Sequence, residues 1–137
     1  MKPMRVHHIG VVVPSEETAK NIMNLFNLEE DYRGYVDSYF ADVIFTKYGP
    51  TESPIEFIIP HEGVLTKYNN GRGGIHHIAF EVEDVEAVRK EFEEQGKQML
   101  ESKAVVGTPD IIVNFLRPKF SEHILFEFVQ TVAPIQR

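Results

Sequence analysis

A pattern of paired histidines and alternating apolar residues occurs twice in the 137-residue sequence, and it limits the folds that the chain can adopt. Residues 7–13 read His-His-Ile-Gly-Val-Val-Val, and residues 75–82 read Ile-His-His-Ile-Ala-Phe-Glu-Val after a pair of glycines. In each copy the alternation predicts a strand, with His8 and His77 on the face opposite Ile9 and Ile78. The repetition predicts that the chain contains two copies of one structural module.

Each histidine strand is followed by the same succession of predicted elements. The first half shows an amphipathic helix to about residue 28, two strands around Gly34, the second spanning 39–48, and a short strand at 54–60. The second half shows a helix closed by Gly96 and strands at about 98–106, 111–116 and 124–129. The sequence thus predicts one α+β domain, residues 1–137, made of two tandem βαβββ modules at about 5–60 and 74–130.

The spacing of one acidic residue in each half points to a shared metal site. His8 and His77 are 77 − 8 = 69 residues apart and Glu56 and Glu127 are 127 − 56 = 71 apart, so each module opens with a histidine and closes with a glutamate. Each glutamate alternates with bulky apolar neighbours, which lets all four polar side chains face the same side of the curved sheets. Either glutamate taken alone is equally well explained as a solvated strand residue. To explain the whole pattern, however, that interpretation requires four residues to fall in register by coincidence. Two neutral imidazoles and two carboxylates suit a divalent first-row ion and leave positions open for water or substrate.

Composition excludes several other kinds of site. The sequence has no cysteine, so disulfides, zinc–thiolate sites and thiol nucleophiles are excluded, and a metal must be held by histidine, carboxylate or amide groups. The net charge is −7 and the basic residues are scattered, which predicts no nucleic-acid or membrane partner. No apolar run approaches the roughly 20 residues of a membrane span, and no signal-peptide pattern precedes the first strand, so we expect a cytoplasmic protein.

The motifs of this chain resemble those of the vicinal oxygen chelate superfamily, which includes glyoxalase I, methylmalonyl-CoA epimerase, extradiol dioxygenases and fosfomycin-resistance proteins. Residues 72–82, 115–119 (Phe-Leu-Arg-Pro-Lys) and 125–128 (Leu-Phe-Glu-Phe) are most similar to the epimerase branch. The resemblance covers essentially the whole chain. It implies a glyoxalase-like fold, in which paired βαβββ modules form a cup-shaped mixed sheet that holds a metal ion.

The resemblance also implies a function and a set of site residues. An epimerase of this kind abstracts a proton next to the carbonyl of an acyl-CoA such as methylmalonyl-CoA. The ligand positions of the superfamily correspond to His8, Glu56, His77 and Glu127, which would hold one divalent ion such as Co, Ni, Mn, Zn or Fe. Glu127 and Asp42 are the expected bases, and Glu56 can serve as ligand or as base. Because two-module members of the superfamily commonly pair, a homodimer is expected.

The same resemblance leaves other functions open. Glutamate at position 56 completes the His-Glu-His-Glu set typical of glyoxalase I, so a lactoylglutathione lyase acting on a hemithioacetal is the first alternative. A metal-dependent oxygenase or a thiol transferase of the same fold is a further enzyme class. A ligand-sequestering protein of the bleomycin-resistance type is the non-enzyme alternative, although such proteins usually lack the metal ligands that are present in this sequence.

Overall fold

A computed structural model describes residues 1–134 and contains one mixed sheet of eight strands with two α-helices. The first half contains β1 (Arg5–Val12), α1 (Glu16–Phe26), β2 (Glu30–Val36), β3 (Ala41–Thr46) and β4 (Ile55–Pro60). The second half contains β5 (Gly74–Glu81), α2 (Val85–Glu94), β6 (Val105–Val106), β7 (Ile111–Leu116) and β8 (Phe126–Thr131). A strand, a helix and three strands therefore follow one another in both halves.

The order of strands in the sheet places the two histidine strands at its centre. The order is β2-β3-β4-β1-β5-β8-β7-β6, so the second half of the sheet repeats the arrangement of the first in reverse. β1 and β5 are antiparallel to each other, whereas β1 pairs with β4 and β5 pairs with β8 in parallel. The sheet curves into a nearly closed cup, and the predicted glyoxalase-like α+β fold is confirmed.

Both helices have capping residues at their two ends. Ser15 before α1 and Asp84 before α2 each accept a hydrogen bond from the backbone N–H three residues further on. Asn27 follows α1 and Gly96 lies just beyond α2, both in the left-handed region that ends helices. In the described part of the chain, neither helix has the length and apolar character needed to cross a membrane.

The two faces of the sheet differ in what packs against them. Ala19 and Met23 of α1 are buried against β3 and β4, and Val85 and Val88 of α2 are buried against β7 and β8. Separate apolar clusters lie on the opposite, concave face, one in each half. Because the helices cover the convex face, side chains of the central strands that point the other way face into the cup.

The connection between β2 and β3 differs from the prediction. Gly34 lies inside β2 opposite Val43, and the chain reverses instead through a 3₁₀ turn at Asp37–Tyr39. Phe40 completes this turn with φ of 53°, a conformation that bulky residues seldom adopt. The strand predicted at 98–106 is also shorter, because β6 comprises two residues. The predicted order of elements is thus right, but the turn at Gly34 and the length of the strand at 98–106 are wrong, and the other strand ends differ by one or two residues.

Candidate active site and metal centre

Four adjacent strands bring the four predicted metal ligands together. In the order β4, β1, β5 and β8, these strands carry Glu56, His8, His77 and Glu127, all of which are buried. Two small residues separate them: Gly10 is paired with both Glu56 and His77, and Ala79 is paired with both His8 and Glu127. Strand pairing therefore gathers side chains that are far apart in sequence.

The atoms that face one another are Nε2 of each histidine and Oε1 of each glutamate. The two Nε2 atoms are 3.2 Å apart. Glu127 Oε1 lies 3.1 Å from His8 Nε2 and 3.3 Å from His77 Nε2. Glu56 Oε1 lies 3.2 Å and 3.5 Å from the same two nitrogen atoms. Each glutamate thus contacts both histidines.

This arrangement fits a bound cation. Ligand atoms about 2.1 Å from a first-row ion stand roughly 3.0–3.4 Å apart, which the distances among His8, His77 and Glu127 match. Oε1 of Glu127 is buried and has no hydrogen-bond partner among the described residues, although two imidazole nitrogens are close to it. A buried oxygen that approaches two nitrogens without hydrogen-bonding geometry suits coordination of an ion between them. The three residues form a group whose ligand atoms all lie within 4.8 Å of one another.

The first histidine of each repeated pair supports the second. Nδ1 of His8 is 2.8 Å from Nδ1 of His7, and Nδ1 of His77 is 2.9 Å from Nδ1 of His76. A neutral histidine that offers Nε2 to a metal carries its proton on Nδ1, so it donates that proton to the preceding histidine. The sequence showed that the pair is repeated but did not reveal this supporting role, which follows from the positions of the rings.

Without an ion, the site is a buried cluster of opposite charges. Burial opposes protonation of both histidines, but the carboxylates of Glu56 and Glu127 outweigh it, raising the pKa of His8 and bringing that of His77 to about 10. Burial also favours the neutral carboxyls, but the neighbouring histidines lower the pKa of Glu127 to about 2 and lower that of Glu56 as well. Both glutamates are therefore ionised at neutral pH and available as ligands or bases.

The four groups line a cavity of about 220 Å³. Most of its remaining wall is apolar and comes from both halves of the chain, including Val43, Ile58, Val113, Phe115 and Leu125. Apolar walls exclude water and strengthen electrostatic interactions between the site and a bound molecule. The cavity can therefore hold a small organic group directly against the four polar side chains.

Asp42 is the one predicted site residue that the structure does not bring to the cup. Ala41 and Val43 on either side of it line the cavity, and the alternation of side chains along β3 turns Asp42 to the other face. There Asp42 is exposed, with Oδ2 2.6 Å from Nε2 of His61. The expectation that Asp42 acts as a base in the cup is corrected on this ground. Among the described residues, the carboxylates that line the cavity are Glu56 and Glu127.

Comparison with known proteins agrees with this fold. The chain belongs to the glyoxalase/bleomycin resistance protein/dioxygenase superfamily, whose family model matches residues 7–115. Over 132 residues it is 33% identical to the ethylmalonyl-CoA/methylmalonyl-CoA epimerase of Cereibacter sphaeroides, in an alignment that covers 92% of this chain and 97% of the relative. The mitochondrial methylmalonyl-CoA epimerase of Homo sapiens is 27% identical over 131 residues, covering 92% of this chain and 73% of the relative.

A solved structure of selenomethionine methylmalonyl-CoA epimerase is similar to the whole fold. It has a TM-score of 0.84 at 26% identity and covers 96% of this chain and 97% of that chain. The predicted resemblance to the superfamily and to its epimerase branch is therefore confirmed.

Proposed function

We propose that the protein is a metal-dependent epimerase that removes and returns the proton next to the thioester carbonyl of an acyl-CoA, with methylmalonyl-CoA as the expected substrate. The observation that carries the proposal is the convergence of His8, His77 and Glu127 on the wall of an apolar cavity. Abstraction of an α-proton requires a carboxylate base beside a group that stabilises negative charge on the carbonyl oxygen. The 33% identity with a CoA-thioester epimerase supports the substrate class.

Each residue of the site has a role in this proposal. His8, His77 and Glu127 would hold the divalent ion, and Glu56 would be either a fourth ligand or the second base. A bound ion would act as a Lewis acid on the carbonyl oxygen. Glu127 accepts the α-proton, and the electrons of the broken C–H bond pass into the enolate. Glu56 lies on the other side of the two histidines in strand order. In this proposal Glu56 takes up a proton from solvent and delivers it to the opposite face of the enolate, which inverts the carbon centre, while Glu127 returns the abstracted proton to solvent.

The expected result of the direct test is exchange of the substrate α-proton with solvent. Protein loaded with Co²⁺ or Mn²⁺ in D₂O should incorporate deuterium into methylmalonyl-CoA while racemising it, because the base shares its proton with solvent between turnovers. Mass spectrometry measures the exchange, and chelation of the metal should abolish both processes. Failure of metal-loaded protein to exchange the proton of any acyl-CoA tested would contradict the proposal.

A glyoxalase I-type lyase is the second candidate, and the position of Glu56 beside both histidines favours it. Oε1 of Glu56 contacts both histidines, so the site presents the His-Glu-His-Glu set expected of that activity. A lyase of this type would isomerise the hemithioacetal of methylglyoxal and glutathione and would leave the α-proton of acyl-CoA in place. Running both substrates on the same metal-loaded sample separates the two enzymes. A sequestering protein would bind ligand without either reaction.

We further propose that the protein is a homodimer of the predicted single domain. β2 and β6 lie at the two edges of the sheet, and exposed edges are commonly covered by pairing between chains. Light scattering at a protein concentration of tens of micromolar should give twice the chain mass of 15.7 kDa. A mass of one chain under these conditions would count against pairing.

A further inference from the structure

Tyr39 differs from the other tyrosines of this chain because its hydroxyl is buried without a hydrogen-bond partner among residues 1–134. Tyr32, Tyr48 and Tyr68 direct their hydroxyls to protein acceptors, and Tyr35 is exposed. A buried hydroxyl left unpaired destabilises the folded state, so its presence calls for a physical reason. One such reason is that the hydroxyl binds a group that enters the site.

The position of Tyr39 supports the interpretation that its hydroxyl binds a group that enters the site. Its side chain lines the same cavity as the two histidines and two glutamates. The ring packs edge-on against Phe115 with centroids 5.9 Å apart, and Phe115 in turn packs edge-on against His77 at 5.5 Å. Tyr39 ends the 3₁₀ turn, and its ring packs on a buried apolar cluster of the first half. Tyr39 therefore lies in the wall of the cavity that the metal ligands line, and the ring of Phe115 contacts both Tyr39 and His77.

The charges around Tyr39 determine what its hydroxyl can do. Burial, followed by the negative charges of Glu127, Glu101 and Glu56, raises the pKa of Tyr39 well above its usual range. The hydroxyl therefore keeps its proton at neutral pH and acts as a hydrogen-bond donor rather than as a base. Anionic oxygen is the strongest acceptor for such a donor.

We infer that Tyr39 is a catalytic residue whose hydroxyl donates a hydrogen bond to an anionic oxygen of the substrate in the cup. The inference rests on the proposed epimerase function. A malonyl-type thioester offers two such oxygens: the enolate oxygen that forms during reaction and the carboxylate that is present throughout. The hydroxyl retains its proton in both cases, so the α-proton is still carried by the carboxylates.

Kinetics distinguish the two oxygens. A bond to the enolate oxygen exists only as charge develops, so its loss lowers kcat and leaves KM nearly unchanged. A bond to the carboxylate exists in the ground state as well, so its loss raises KM and leaves kcat nearly unchanged. Either pattern supports the assignment of Tyr39 to the substrate.

The test is Tyr39→Phe in the full-length, metal-loaded protein, assayed with methylmalonyl-CoA in D₂O. We expect kcat/KM to fall by about 10²-fold, the usual effect of removing one donor to a developing oxyanion. Because no hydrogen bond to the protein is lost, the melting temperature should equal or exceed that of the unaltered protein. Metal content, measured on the same samples, should not change.

Two matched tyrosines serve as controls. Tyr35→Phe removes an exposed hydroxyl, so activity and stability should remain unchanged. Tyr48→Phe removes a hydroxyl that donates to Glu81 at 2.9 Å outside the cavity, so the melting temperature should fall and activity should be kept.

The outcomes separate this inference from the proposed function. If the unaltered protein epimerises its substrate and Tyr39→Phe performs like Tyr35→Phe, the role of Tyr39 is wrong and the function stands. If Tyr39→Phe loses stability as Tyr48→Phe does, its hydroxyl is structural and the inference is likewise overturned. If the unaltered protein neither exchanges nor racemises acyl-CoA, the proposed function is wrong and the inference fails with it.

Discussion

Glu127→Gln is expected to lower the epimerisation of methylmalonyl-CoA by about 10²–10⁴-fold, the range of general acid–base catalysis, and to act chiefly on kcat. Glutamine preserves the size of the side chain and one carbonyl oxygen but cannot accept the α-proton. Glu127 is buried with Oε1 close to Nε2 of both histidines, where solvent bases do not replace it. Racemisation and deuterium incorporation should decline together, because both depend on the same proton transfer.

Two further measurements make this prediction specific. Glu62→Gln is the matched control, since it changes an exposed glutamate in the loop after β4 and should leave turnover unchanged. Metal content must also be measured, because an amide oxygen is a weaker ligand than a carboxylate. If Glu127→Gln exchanges the proton at the normal rate with metal bound, another group is the base. Glu56→Gln then becomes the informative variant.

Gly10→Ala is expected to weaken metal binding by more than about 100-fold, beyond the usual effect of disturbing a residue that only supports a ligand. A methyl group at position 10 would lie 2.2 Å from Cε1 of the His77 ring, which is closer than two non-bonded carbon atoms can approach. The imidazole is the group that can move, so it should swing away and withdraw Nε2 from the site. Metal analysis of the purified variant gives the result directly, and activity should be lost with the metal.

The fold should tolerate this change better than the site does. The methyl group displaces a side chain rather than backbone, so the cost in stability should be near the 1–3 kcal/mol that is typical of overpacking, which corresponds to roughly 3–15 °C in melting temperature for a domain of this size. Gly49→Ala is the control, because its added methyl would meet the exposed side chain of Glu52 rather than the site. Full metal occupancy of Gly10→Ala would contradict the position of His77 in the centre.

Elements with strong local signals could be predicted from the sequence. β1 and β5 alternate regularly, and both helices carry a capping side chain and a left-handed residue at their ends, so neighbouring residues decide their structure. The placement of Glu56 and Glu127 was also predictable, because the repeat sets them in register with the histidines. The strands and helices were thus predicted from local patterns, and the four site residues from the repeat between the two halves.

The errors arose where distant parts of the chain decide the structure. Gly34 is a common turn residue, but pairing of β2 with Val43 keeps it inside a strand. The turn then falls at Asp37–Tyr39, and alternation along β3 turns Asp42 away from the cup, since a shift of one residue reverses the face of a side chain. No pattern in the sequence pointed to Tyr39, because its place in the cavity wall depends on tertiary contacts such as that of its ring with Phe115 of the other half.

The central pairing of β1 with β5 has a thermodynamic consequence, because the ligands lie on strands from both halves of the chain. An ion held by His8, His77 and Glu127 would clamp the two halves together, and unfolding of either half would release it. Such linkage would add about 4.1 kcal/mol to the free energy of unfolding when free ion exceeds its Kd by 1,000-fold. The melting temperature should then rise with the logarithm of ion concentration, and the cation would work as a removable cross-link between the two halves of the chain.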